Sequence, residues 1–330
     1  MSQTRSQCPD CQPQLPRRSF LKGIGGSAAL GAVAPLLTRL PGVYAAPSRS
    51  SGAETAVKEF YGTLSDSQRK TLCFPFDHEL RRNISANWHI TKPRIADDFF
   101  TDQQRGIIRQ IVKGVTSEDG FERLLKQTED DDGGLEFYSV AVFGEPGDGK
   151  FEFELTGRHL TLRADGDSVD RAAFGGPIVY GHGLEDNPSE NLYHYQTLQT
   201  NRVFSALDEN QRKAALLKSS PKEAVAALPV DGGKYPGIQV ADLSAEQRGL
   251  VQDTLKVLLA PYRQEDVDEV MQIVQANGGI EALHMAFYQQ GDLNDDRVWD
   301  IWHVEGPGFV WHFRGAPHVH AYINIGGAKA

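Results

Sequence analysis

Two periodicities divide the chain into elements. Helical patterning runs over 118–130 and again over 264–276, and strand-like segments follow each stretch, at 135–143 and 150–163, then at 280–288 and 297–325. The clearest strand is Phe151-Glu152-Phe153-Glu154-Leu155, where apolar and acidic residues alternate. Period two marks a strand, and this alternation predicts an antiparallel sheet with one face in water. Glu305-Gly306-Pro307-Gly308 separates two aromatic-rich runs and predicts a hairpin turn. The Gly- and Pro-rich stretch 175–189 reads as a loop joining two halves, and 229–242 as a second, exposed loop.

One signature marks four helix starts: Leu64-Ser65-x-x-Gln68-Arg69, Phe100-Thr101-x-x-Gln104-Arg105, Leu207-Asp208-x-x-Gln211-Arg212 and Leu243-Ser244-x-x-Gln247-Arg248. Each is a capping box: the Ser, Thr or Asp oxygen accepts from the backbone of the third helical residue while the Gln reaches back to the cap. The members of each pair stand 36 residues apart, and the second pair follows the first by 143. Helices and then strands follow each pair in the same order. The pattern predicts a single α+β domain over 57–330, with small antiparallel sheets, built as two repeated halves at 57–175 and 190–330.

Residues 1–45 read as a segment apart. Arg17-Arg18-Ser19-Phe20-Leu21-Lys22 precede an uncharged run at 23–38, and Val43-Tyr44-Ala45-Ala46 offers small side chains to a signal peptidase. This layout is that of an export signal, and the paired arginines resemble the twin-arginine signal. That resemblance implies transport of folded protein by the twin-arginine translocase, cleavage after Ala45, and a periplasmic or extracellular address. The apolar core of 16 residues, broken by glycines and Pro35, is short for a span of roughly 20, so no stable membrane span is expected after cleavage. Residues 46–56 form a flexible leader.

Charge and cysteine content narrow the partners. The 330 residues carry 34 basic and 44 acidic side chains, a net charge of −10. Nucleic acid and anionic membranes both demand a positive face, so neither is an expected partner. Removing 1–45 sharpens this, because that segment holds five of the basic residues and one of the acidic ones. Cys8 and Cys11 leave with it, and Cys73, beside Phe74 and Phe76, is expected to be a buried inert thiol.

Ready-made motifs fail on inspection. Gly144-Glu145-Pro146-Gly147-Asp148-Gly149-Lys150 fits a phosphate-binding loop, but Phe151 stands where a Ser or Thr must bind magnesium and a strand follows instead of a helix. A hairpin turn and no nucleotide cofactor are expected there. His78-Glu79 lacks its second histidine, Arg82 standing in that place, and Asp292-Leu293-Asn294-Asp295-Asp296 lacks the Gly and Glu of a calcium loop.

The histidines carry the remaining chemistry. His318-Val319-His320 places two imidazoles on one strand face, roughly 7 Å apart, a workable bite for one metal ion. The strand 157–162 supplies His159, which the repeat makes the equivalent of His320, and Trp88-His89 and His303 extend the set. Three imidazoles with an open position suit zinc or copper and activate water or dioxygen. His159, His318 and His320 are therefore the expected ligands, His89 and His303 additional ones, and Arg158, Tyr322 and Trp88 the expected substrate contacts.

Several of these segments together resemble a known family. Phe74-Pro75-Phe76-Asp77, Trp88-His89, the Gln-Arg helix starts, Phe143-Gly144-Glu145-Pro146, Gly157-Arg158-His159-Leu160, Gly306-Pro307 with Phe309, and His318-Val319-His320 occur in the order seen in the bacterial and fungal domain of unknown function 3500. The likeness covers about 57–325. Arg158 stands where that family typically has a histidine, and Ala321-Tyr322-Ile323-Asn324 replaces its usual Trp-Arg-Asp run. The resemblance implies kinship and export, and no particular reaction. The sequence thus supports an exported histidine-ligated metalloprotein. The alternative is a non-catalytic periplasmic protein whose histidines and tryptophans, Trp299, Trp302 and Trp311 among them, line a ligand pocket.

Overall fold

The computed structural model describes residues 46–327 apart from 148, 186–187, 223–226, 229–232 and 295. The export segment read at 1–45 lies outside the described residues. Among those described, no helix is long and apolar enough to cross a membrane.

The first part of the chain forms α1 (Gly52–Thr63), α2 (Asp66–Leu72), β1 (Cys73–Phe74), α3 (Asp102–Gly114), α4 (Glu118–Asp132), β2 (Ser139–Gly144), β3 (Phe151–Gly157), β4 (Leu160–Ala164) and β5 (Ile178–His182). The second part forms α5 (His194–Ala206), α6 (Glu209–Ala215), β6 (Leu216–Leu217), β7 (Ile238–Gln239), α7 (Ala245–Leu259), α8 (Gln264–Ala276), β8 (His284–Tyr288), β9 (Ile301–Gly306), β10 (Phe309–Arg314) and β11 (Val319–Ile325). The α+β class holds, but the strands expected as small sheets join in one sheet of 11, ordered β1-β2-β3-β4-β5-β11-β10-β9-β8-β6 with β7 on β8. The order reads alike from both ends. Each terminal pair, β1 with β2 and β6 with β8, is parallel, and β5 meets β11 antiparallel at the centre.

All four capping boxes form. Their glutamines also explain the 36-residue spacing. Gln68 and Gln104 exchange side-chain hydrogen bonds of 2.9 and 3.1 Å, and Gln211 and Gln247 do the same at 3.1 and 2.8 Å. Each amide oxygen also accepts from its own cap backbone, so one amide pair ties two helix starts together.

One face of the sheet is apolar. Phe153, Leu155 and Leu162 pack against α1, α3 and α4, while Trp302, Trp311 and Phe313 pack against α5, α7 and α8. Of the tryptophans read as pocket walls, Trp302 and Trp311 are fully buried in the core, Trp302 stacking on Phe313 at 4.5 Å, while Trp299 is half-buried against it. The other face is polar and, against expectation, dry. Glu152 and Glu154 are fully buried there and pair with Arg163, while Arg81 reaches Glu152 at 3.0 Å. The residues around 81–90 cover this face: Arg163 donates to the Arg81 carbonyl, Trp88 Nε1 to Thr161 Oγ1 and the Ile90 backbone to Thr156 Oγ1. Alternation showed which residues share a face; it could not show a strap laid over the charged one.

Three assignments need correction. The leader expected at 46–56 already holds the first turn of α1, which starts at Gly52 and buries Ala53 and Ala56. The stretch 175–189 contains β5, a central strand buried at every position, and Ile178-Val179-Tyr180 lacks alternation because both its faces are covered. The stretch 229–242 contains β7 and the buried Val240. The failed phosphate loop does join two antiparallel strands, β2 and β3. Cys73 is half-buried, and burial, opposed by Arg69, pushes its thiol up to about 11, which keeps it protonated and inert.

Candidate metal centre

His159 does not lie in a strand. Gly157 pairs with Leu160, so Arg158 and His159 form the tight turn between β3 and β4, and His159 has φ +56°. A left-handed conformation is uncommon outside glycine and is held only where the surroundings insist on it. They do so here: the His159 backbone N–H donates to the Ala86 carbonyl, and its carbonyl accepts from Gln127 Nε2 at 2.9 Å. The matching turn between β9 and β10 has Gly308 at φ +68°, so His159 corresponds in place to Gly308 and not to His320. His320 is the second residue of β11 and His318 stands in the bend just before it, the two rings meeting on one side. Opposite His320 lies Gly181, where a Cβ would come within 3.1 Å of the His159 Cβ. The absent side chain lets the turn of one hairpin reach the strand of another.

The three imidazoles converge. Ring centres are 5.1 Å apart for His159 and His318, 4.9 Å for His159 and His320, and 4.8 Å for His318 and His320. Three imidazoles bound tetrahedrally to one zinc at 2.0–2.1 Å place their ring centres about 5 Å apart. His318 Nε2 and His320 Nε2 are 3.0 Å apart, and one nitrogen from each of the three lies within 4.8 Å of the others. All three residues are buried, at 0–1% exposure. Burial, reinforced by His159, Arg314 and Arg158, lowers His318 to about 3 and takes His320 well below its ordinary value. Both are therefore neutral at physiological pH, the form that binds metal.

One outer nitrogen is hydrogen-bonded to a carboxylate and a second lies near one. His159 Nδ1 donates to Asp131 Oδ2 at 2.8 Å, and Asp131 Oδ1 accepts from the Gly183 backbone at 2.7 Å. His318 Nδ1 is 3.7 Å from Glu185 Oε1. A carboxylate on the far nitrogen fixes the tautomer and turns the near nitrogen toward a metal. Asp131 comes from the Asp130-Asp131-Asp132 run that ends α4, whose first member bonds His182 Nε2 at 3.1 Å. Acidic residues oppose the dipole at a helix C-terminus, and that misplacement is the sequence signal for Asp131. Arg314, also unforeseen, brings Nη2 to 3.4 Å from His318 Nε2.

The other expected residues divide: Tyr322 and Arg158 adjoin the triad, while His89, Trp88 and His303 lie elsewhere. His89 is exposed. Trp88 is half-buried, and its N–H serves the strap over the sheet. Tyr322 is buried on the same sheet face, 6.5 Å from His320 between ring centres, and Arg158 adjoins His159. His303 joins a second group with Glu305 and His312. Its two rings stack at 3.8 Å and 12°, so their in-plane lone pairs run side by side instead of converging. Glu305 Oε1 accepts from His312 Nε2 at 2.8 Å and lies 3.4 Å from His303 Nδ1. Those contacts outweigh burial and bring Glu305 down to about 2. This group is a hydrogen-bonded triad, distinct in build from the first.

No curated protein and no solved structure matches the chain. The model of the family described as "Protein of unknown function (DUF3500)" matches residues 48–323, and the chain belongs to that family.

Proposed function

We propose that the protein is a three-histidine metalloprotein, with zinc held by His159, His318 and His320 and an open fourth position that activates water. The observation that carries this reading is the near-equilateral triangle of buried imidazoles, with the His159 ring hydrogen-bonded to Asp131. An all-nitrogen set with tetrahedral spacing favours zinc over the square-planar preference of copper(II). A zinc ion there lowers the pKa of a bound water toward 7 and supplies a nucleophile at neutral pH. The chain's part is to fix the imidazoles: Asp131 holds the His159 ring, and the turn at Arg158-His159 and the β5–β11 pairing set the separation.

The paired arginines and the small residues before Ala46 support export by the twin-arginine route, which suits a protein that acquires its metal while folding in the cytoplasm. The test is metal analysis of protein produced through its own leader. About one equivalent of zinc is expected, lost when His318 and His320 are both changed to Ala. Metal-free protein whose melting is unchanged by added zinc contradicts the reading, and one equivalent of copper redirects it to dioxygen chemistry.

A further inference from the structure

One face of α4 holds His159 at two points. Asp131 takes the ring through Nδ1, and Gln127, one turn earlier on the same face, donates from Nε2 to the His159 carbonyl at 2.9 Å. Gln127 is fully buried, and its other amide atom is engaged as well: Oε1 accepts from the Tyr193 hydroxyl at 2.6 Å. A carbonyl can only accept, so the amide nitrogen must face His159 and the amide oxygen Tyr193. Tyr193 stands just before α5, buried, with its ring centre 4.5 Å from that of Tyr180 and its backbone N–H donating to Asn191 Oδ1 at 3.0 Å. The rest of the turn is tied too, the Tyr138 hydroxyl donating to the Arg158 carbonyl at 2.7 Å and the His159 N–H to the Ala86 carbonyl.

This inference rests on the metal centre proposed above. His159 belongs to the first part of the chain and His318 and His320 to the second, so the triangle is only as fixed as the junction between the parts. At φ +56° the His159 backbone relaxes toward ordinary angles unless its polar groups are held, and that rotation would carry the imidazole with it. A metal site works only while its ligands stay within about 0.5 Å of their places. Asp131 sets how the ring is turned; a tie on the backbone sets where the ring is attached. We propose that Gln127 is a positioning residue for His159, oriented in turn by Tyr193. The relay Tyr193–Gln127–His159 crosses the junction and registers the ligand of the first part against the two of the second.

The test measures zinc affinity by competition against a chelator, together with the visible spectrum of the cobalt(II) form, which reports coordination geometry. Gln127→Leu matches the side chain in size and loses both bonds. Zinc binding is expected to weaken about tenfold or more, and the cobalt bands to lose intensity as His159 gives way to water. Tyr193→Phe removes one oxygen from the relay and leaves the packing, so it serves should Gln127→Leu fail to fold; a smaller loss in the same direction is expected. Because Gln127 and Asp131 act on one histidine, Gln127→Leu combined with Asp131→Asn is expected to weaken zinc by less than the product of the two single effects. Gln211→Leu breaks an amide pair between α6 and α7 and is expected to lower melting with zinc affinity and cobalt spectrum unchanged. Gln127→Leu and Tyr193→Phe proteins that melt lower yet bind zinc as the parent does overturn the positioning role and leave the metal centre standing. An equal loss of zinc in Gln211→Leu overturns it too, since general loosening then suffices. Parent protein that takes up neither metal removes the metal centre, and this inference with it.

Discussion

At the scale of single residues, the centre depends on how imidazoles are held. The His318-Val319-His320 pair was legible because residues two apart in an expected strand share a side, although His318 falls in the bend before β11. His159 was legible as a candidate but misplaced, since a histidine at φ +56° in a two-residue turn has no pattern of its own. Asp131 is the residue whose role is most open to measurement. In Asp131→Asn the Gly183 contact survives through the amide oxygen, but an N–H donor then faces His159 Nδ1–H. Zinc affinity is expected to fall 10–100-fold, the usual effect of removing such a partner, with the fold retained. Competition against a chromophoric chelator measures it, and unchanged affinity would remove Asp131 from the account.

At the scale of elements, the helix starts were the most legible part of the chain. A capping box is local chemistry, so Ser65, Thr101, Asp208 and Ser244 could be read directly, and α8 begins and ends where the pattern put it. What lay hidden depends on long-range cover: β5 was lost among its glycines and prolines, and Glu152 and Glu154 pointed into a strap that alternation does not reveal. The paired glutamines and the matching strand order bear on ancestry. We propose that the two halves arose by duplication, with the metal centre a later departure, since Gly308 sits where His159 does in the matching turn. The glutamine pairs also carry a stability prediction. Gln68 is buried, so Gln68→Leu leaves the Phe99 carbonyl without its donor and removes the link to Gln104, which keeps its bonds to Thr63 and Thr101, at a cost of about 1–3 kcal/mol. Gln211 is only half-buried, and Gln211→Leu is expected to cost less. Urea unfolding of both variants makes the comparison, and equal costs would argue against the buried pair as the stronger tie.

At the scale of the whole molecule, buried acids set the pH response. Burial raises Asp165 and Asp266 to about 7 and Glu269 to about 8, and Arg263 is shared between Glu54 and Asp266. In the folded protein these groups hold protons that the unfolded chain releases near pH 4. From these acids the native state binds more protons between about pH 4 and 8. His303, His318 and His320, lowered by burial, instead take up protons on unfolding below about pH 6.5. Above that pH the acids govern, and stability falls as pH rises. Melting temperature is expected to decline from about pH 7 to pH 8, and Glu269→Gln to flatten the decline. A melting temperature that rises over that range contradicts the assignment.

The sheet holds two hairpins so that a turn and a strand distant in sequence meet, and the central claim is that a metal belongs where they do. X-ray absorption at the zinc edge, on protein isolated without added metal, addresses this most directly. The account expects about three imidazole nitrogens at 2.0–2.1 Å, completed by one light-atom ligand, and the loss of that signal in the double variant of His318 and His320. A spectrum with sulfur ligands, or with no imidazole scattering, contradicts it.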